Sequence, residues 1–170
     1  IRFQDDTARH LPYTSWFSMG SDVADVNNDG RLDFMVGDMA ATTHFKAKTT
    51  MGEMQGLRKW VLENGWPRQA MRNCLFINTG TDRWQESAFL SGVARSDWTW
   101  SVKFSDFDLD GRVDLFLTNG IARPFADSDV IATDAMRTGR TEWEIYKNQP
   151  EMREQNLAFR NHGDLDFKDV

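Results

Sequence analysis

Two stretches of this chain concentrate oxygen-bearing side chains at a spacing that suits a hard cation. Asp25-Val26-Asn27-Asn28-Asp29-Gly30-Arg31-Leu32-Asp33 is followed, 81 residues on, by Asp106-Phe107-Asp108-Leu109-Asp110-Gly111-Arg112-Val113-Asp114. Both read D-x-[DN]-x-D-G-x-x-D, with oxygen donors at positions 1, 3, 5 and 9 and a glycine at position 6. Calcium takes six to eight oxygen ligands at about 2.3–2.6 Å. In the first loop Asp25, Asn27 and Asp29 would each give a side-chain oxygen, the Arg31 backbone carbonyl would take position 7, and Asp33 would close the shell. Asp106, Asp108, Asp110, the Arg112 carbonyl and Asp114 play the same parts in the second. Gly30 and Gly111 permit the sharp turn around the ion. The second loop has four carboxylates against three in the first, so it is expected to bind more tightly. Magnesium demands octahedral geometry and keeps its waters. Zinc favours His and Cys, and neither loop has one nearby. An EF-hand needs a Glu at position 12 and flanking helices, whereas Val36 and Leu117 stand at that position.

The elements that would hold these loops also repeat. An apolar strand follows each loop, Phe34–Gly37 and then Leu115–Thr118. Trp16–Met19 is expected as the strand before the first loop and Trp98–Phe104 as the strand before the second. In the latter, Trp98, Trp100, Val102 and Phe104 alternate onto one face, as a half-buried strand requires. A second pair of matching stretches, Asn73–Gly80 and Asn156–Gly163, reads as a strand running into an Asn-x-Gly turn. Phe3-Gln4-Asp5, Trp84-Gln85-Glu86 and Phe167-Lys168-Asp169 read as three copies of one short strand.

The chain therefore holds two periods of about 80 residues, 3–84 and 84–167, each with four strand candidates around one acidic loop. Four-stranded units repeated radially are the blades of a β-propeller. The expected fold is mainly β: two four-stranded propeller-type blades within one β-propeller segment spanning 1–170, with helical insertions at about 40–72 and 121–155. Within these inserts, 51–64 and 126–139 carry helical spacing, and Asp127 stands where it would cap the second helix. Insertions at one repeat position fall on one face of an array, often the binding face.

Composition narrows the function classes. The net charge of −6, with no basic stripe, argues against nucleic acid as a partner. Two divalent ions would bring that charge to −2. No apolar run approaches the ~18 residues of a membrane span. Cys74 is the one cysteine and sits in the apolar run Cys74–Ile77, where it reads as a buried small hydrophobe.

Strand, D-x-[DN]-x-D-G-x-x-D and apolar strand together resemble the FG-GAP or VCBS repeat of integrin α-chain propellers and many secreted bacterial proteins. Asp38-Met39, Asp97-Trp98-Thr99-Trp100 and Asn119-Gly120 are similar to the cartilage acidic protein-like, ASPIC/UnbV-associated group. The resemblance covers nearly the whole chain and is strongest in the loops. It implies a propeller, commonly of seven blades, with a structural calcium ion in each loop and with secretion or display at the cell surface. Two blades do not close such a ring, so the chain reads as a segment of a longer protein or one chain of an assembly. Its partners would be a protein or glycan ligand and other blades or chains.

Other residues carry less. His10, His44 and His162 are scattered, and no catalytic constellation stands out. Trp16, Trp98 and Trp100 are expected in the core, while Trp60, Trp66 and Trp143 lie in the inserts as candidates for a contact surface. A non-enzymatic binding or assembly module is the leading reading. A secreted polysaccharide-active lyase or hydrolase is the alternative, with Asp127, Asp129, Glu142 and Glu144 as its only dense carboxylates. Calcium sensing is a weaker third reading.

Overall fold

The computed structural model describes residues 2–50, 67–124, 127 and 139–170. Of these, 34% lie in strands and 11% in helices, so the fold is mainly β. The strands are β1 (Tyr13–Ser15), β2 (Gly20–Ala24), β3 (Asp33–Gly37), β4 (Met39–Ala40), β5 (Arg68–Ala70), β6 (Cys74–Ile77), β7 (Gln85–Glu86), β8 (Asp97–Ser105), β9 (Asp114–Asn119), β10 (Leu157–Asn161) and β11 (Phe167–Asp169). Among the described residues three short helices join them: α1 (Thr7–His10), α2 (His44–Thr50) and α3 (Glu142–Tyr146).

The periodicity of the sequence becomes two antiparallel meanders, β2-β3-β6-β7 and β8-β9-β10-β11, with β4 added to the free edge of β8. Their registers correspond. Met35 lies opposite Asp22 and Leu75, and Phe116, its counterpart 81 residues on, lies opposite Lys103 and Ala158. Each acidic loop is the hairpin between the first two strands of its meander. Each insert leaves after the second strand and returns before the third. β1 and β5 form a separate parallel pair.

The core lies between the meanders, which together curl into half a barrel. Val26, Met35, Leu75 and Ile77 of the first meander pack against Val102, Leu115, Leu117, Phe159 and Phe167 of the second. Side chains alternate between strand faces, so the first meander buries Met35 and Leu75 on this side and turns Phe34 the other way. Phe34 there stacks with Phe76 at 4.7 Å and meets the edge of Trp84 at 5.1 Å. The meanders approach closely at Gly20, where a β-carbon would stand 2.6 Å from the Trp100 carbonyl oxygen and 2.9 Å from the Ser101 α-carbon.

Three expectations are corrected by the structure. Trp16–Met19 is a bend, and the strand before the first loop is Gly20–Ala24. The buried Asp38 carboxylate accepts the Trp16 and Phe17 N–H groups at 2.6 and 3.0 Å, which takes those donors out of any ladder. Phe3-Gln4-Asp5 is not a strand, and Phe3 is 94% exposed. The matching strands β7 and β11 each pair with the strand just before them, β6 and β10, whereas residues 3–5 pair with no described strand. Trp100 is not in the core. The β8–β9 register shifts between Thr99 and Ser101, so Thr99 and Val102 are both buried while Trp100 is 53% exposed. A bulge that inserts one residue reverses the inward phase beyond it.

The inserts meet at Lys46 of α2, whose ammonium pairs with Asp97 at 2.7 Å and with Glu154 at 2.8 Å. Both Thr42 donors also reach Asp97, at 2.8 Å. Apart from Asp127 and Gly139, the expected helices over 51–64 and 126–139 lie outside the described residues, and with them the helix that Asp127 would cap, as do Trp60 and Trp66. Trp143 on α3 is 66% exposed.

Beneath the first meander, Glu86 gathers donors. Its carboxylate accepts Arg72 at 2.8 and 3.1 Å, the Ala88 N–H at 2.9 Å and the Tyr13 hydroxyl. Burial alone would raise the Glu86 pKa, but these donors hold it below the usual value. Burial and the Glu86 charge push the Tyr13 hydroxyl up to about 12.

Gly20→Ala is expected to cost about 1–3 kcal/mol, because backbone atoms and not flexible side-chain ends oppose the added methyl; urea denaturation measures it. The depressed Glu86 pKa gives stability that is present above the ordinary carboxylate value near ~4.3 and is lost as pH falls through the folded value. Stability–pH curves of the parent and of Glu86→Gln should therefore converge in acid, and parallel curves would refute the linkage.

Candidate metal centre

The two acidic loops adopt one backbone path. In the first, Asn28 and Gly30 take φ of 56° and 82°; in the second, Leu109 and Gly111 take 61° and 84°. A β-carbon at Gly30 or Gly111 would meet nothing within 4 Å, so these glycines serve the left-handed backbone and not a close approach. Asn tolerates that region, whereas Leu109, 87% exposed, does so at some strain.

The same hydrogen bonds recur position by position. Asp25 accepts the Asp29 and Gly30 N–H groups at 3.0 and 2.7 Å, and Asp106 accepts those of Asp110 and Gly111 at 3.0 and 2.8 Å. Asp33, fully buried, accepts the Val26 and Asn78 N–H groups at 3.0 and 2.8 Å. Asp114 accepts those of Phe107 and Asn161 at 3.1 and 2.9 Å. Position 9 thus ties its own loop to the Asn-x-Gly turn after the third strand. Burial, with Asp29 and Asp25 adding like charge, raises the Asp33 pKa.

The position-5 carboxylates are engaged sideways. Asp29 pairs with Arg31 at 2.5 Å and accepts the Asn27 amide at 2.9 Å. Asp110 pairs with Arg112 at 2.5 Å and with Arg160 at 3.3 Å. The Arg112 N–H and then the Arg160 contact hold the Asp110 pKa down. Arg31 and Arg112 turn their side chains across the loops to the carbonyls of Asn78 and Asn161, at 2.8 and 2.9 Å.

In the second loop Asp106, Asp108 and Asp114 converge, each offering one oxygen within 4.8 Å of the others. Oxygens around one ion at about 2.4 Å stand no more than about 4.8 Å apart, so this triad could hold a metal ion. Arg160 lies at its margin, 2.7 Å from Asp108. Asp110 is turned out of the cluster. The first loop has Asn27 at the position of Asp108, and among the described residues no second cluster of three acidic ligands forms.

The sequence reading missed Asn78, Asn161 and Arg160. The turns were legible, but their bonds to the position-9 carboxylates follow only from the pairing of the second and third strands. The loops also lie side by side: Asn28 donates to the Gly111 carbonyl at 3.1 Å, and Asn161 donates to the Val26 carbonyl at 2.9 Å.

Other candidates fare less well as chemistry. Glu144 completes a capping box with Thr141, and the Glu142 side chain and Asp129 lie outside what is described. Cys74 is fully buried, and burial pushes its thiol up to about 12. No described helix is long and apolar enough to cross a membrane. No family model, curated protein or solved structure matches the chain.

Asp114→Ala should destabilise the protein even in EDTA, by about 1–3 kcal/mol, because it strands the Phe107 and Asn161 donors. Asp108→Asn, at a carboxylate whose contacts are on the loop surface, should be near neutral in EDTA. Chemical denaturation of both variants, metal-free, checks the distinction.

Proposed function

We propose that this protein is a calcium-stabilised repeat module of the FG-GAP/VCBS propeller type, acting outside the cell or at its surface in protein or glycan binding and assembly. The observation that carries this reading is the convergence of Asp106, Asp108 and Asp114 within a loop whose turn is duplicated in the first repeat. In the proposal calcium binds both loops. Asp25, Asn27, Asp29, the Arg31 carbonyl and Asp33 serve one ion, and Asp106, Asp108, Asp110, the Arg112 carbonyl and Asp114 serve the other. Each four-stranded meander is one blade. Asp29 and Asp110 would exchange their arginine partners for the ion.

The ions' role is structural. A cation in each hairpin would neutralise crowded carboxylates and fix the end of the first two strands of a blade, stabilising the folded state by mass action. Binding would fall to the insert face, where Lys46 joins the two inserts and Trp143 stands exposed.

Calcium added to the EDTA-treated protein should raise its melting temperature, and magnesium should do so far less. Asp108→Asn should remove most of the gain from the second loop without changing the metal-free melt. A melt indifferent to calcium, or one equally responsive to magnesium, would overturn the calcium assignment.

A further inference from the structure

From the first repeat to the second, the acidic loop gains a carboxylate and a cation together. Asp108 stands where the first loop has Asn27, and Arg160 on β10 stands where the first repeat has Ile77. Ile77 is buried in the core, whereas the Arg160 side chain is 45% exposed and reaches the loop. Its guanidinium lies 2.7 Å from an Asp108 oxygen and 3.3 Å from an Asp110 oxygen. Among the described residues the first loop has one such partner, Arg31, which belongs to the loop itself and has its counterpart in Arg112. Arg160 is thus a cation brought to the second loop from another strand, with no equivalent at the first.

Alternation along β10 puts it there. Phe159 and Asn161 are buried, and the Asn161 N–H holds Asp114. Arg160 between them takes the opposite face, where it lines an apolar groove with Phe107, Phe116 and Ala158. Its register partner on β11 is Lys168, a second cation close by, which pairs with Asp166 at 2.7 Å. Charge then balances between the repeats. With the carboxylates ionised, three carboxylates and one arginine at the first loop carry the same net charge as four carboxylates and two arginines at the second. The extra carboxylate that would favour a cation at the second loop comes with the charge that cancels it.

From this we infer that Arg160 is a built-in competitor for the metal at the second loop, holding its affinity for a divalent cation below what four carboxylates would give. The inference rests on the calcium reading above and concerns how that site is tuned. Asp108 is at once a member of the acidic triad and the closest partner of the arginine. An ion among Asp106, Asp108 and Asp114 brings two positive charges beside the guanidinium on one shared carboxylate, and charges at such separations interact strongly in a partly buried site. An arginine does not give up its proton to relieve the repulsion. Its side chain either leaves Asp108 or stays at a cost, and both weaken binding. In the metal-free state the same contact neutralises part of the crowded cluster. Arg160 therefore stabilises the metal-free loop and opposes the filled one, and the second loop loses the advantage in tightness that its extra carboxylate suggests.

The test is calorimetric titration of calcium into the intact, metal-stripped chain and its variants. Arg160→Gln should tighten binding at one loop at least threefold, while its metal-free melt is no higher than the parent's. Lys168→Gln removes the same charge from the same face without touching the triad, and should shift the affinity far less. In an Asp108→Asn background Arg160→Gln should have no effect, because the shared carboxylate is gone. Arg160→Met, which keeps an apolar stem in the groove, is the second variant should Arg160→Gln fail to fold. Calcium bound equally by the parent and the Arg160 variants would overturn the competitor role and leave the metal reading standing. A gain from Lys168→Gln as large as that from Arg160→Gln, or one that persists without Asp108, would overturn it too, as a general effect of charge. No heat of calcium binding in any of these proteins would overturn both readings.

Discussion

Asp33 and Asp114 organise this molecule. Each is a buried carboxylate that accepts one N–H from the start of its own loop and one from a turn nearly fifty residues away in sequence. An ionised carboxylate removed from water needs such donors to offset its desolvation. Those donors fix the acidic hairpin against the third strand of the meander, so the loop cannot move without breaking the sheet. The same two bonds in both repeats explain why the loops share one backbone path despite having Asn in one and Leu in the other at the first left-handed position.

Around this anchor the meanders are joined by polar bonds as well as by apolar burial. Asp22 accepts the Phe104 N–H at 2.9 Å across the β2–β8 boundary, and Gly20 leaves room for the two backbones to approach. Asp38 and Asn73 do similar work at the far end. Asn73 accepts the Asp38 N–H at 2.9 Å and donates to Val93 and Ser96, and Asn156 accepts the Asn119 N–H at 3.0 Å in the second repeat. Conserving such bonds between the repeats keeps strand order and register alike. The surroundings of the two copies then diverge through neighbours alone.

The candidate site fits this architecture. A cation at Asp106, Asp108 and Asp114 would sit where one carboxylate is already fixed by the fold and the other two are on the hairpin itself. Such a site adds stability to a hairpin end and leaves little freedom for a hinge, which suits a structural ion more than a switch.

Much was legible in the residues. The two acidic loops, the strands after them, the Asn-x-Gly turns and β7 and β11 follow from spacing and alternation, because turn geometry and strand faces are local properties. The places where the reading failed are non-local. Nothing in Trp16–Met19 says that its N–H groups will be taken by Asp38, twenty-odd residues on. The clean alternation through Trp98 and Trp100 hides a bulge that only the pairing with β9 creates. Residues 3–5 carry the pattern of a strand but pair with no described strand. For the site, sequence alone determined which oxygens could serve an ion and where the chain must turn. Tertiary structure decided which of them converge, because Arg31, Arg112 and Arg160 draw the position-5 carboxylates aside while the turn asparagines lock position 9. The long-range donors and charges that make that selection come from other strands, and no local pattern records them.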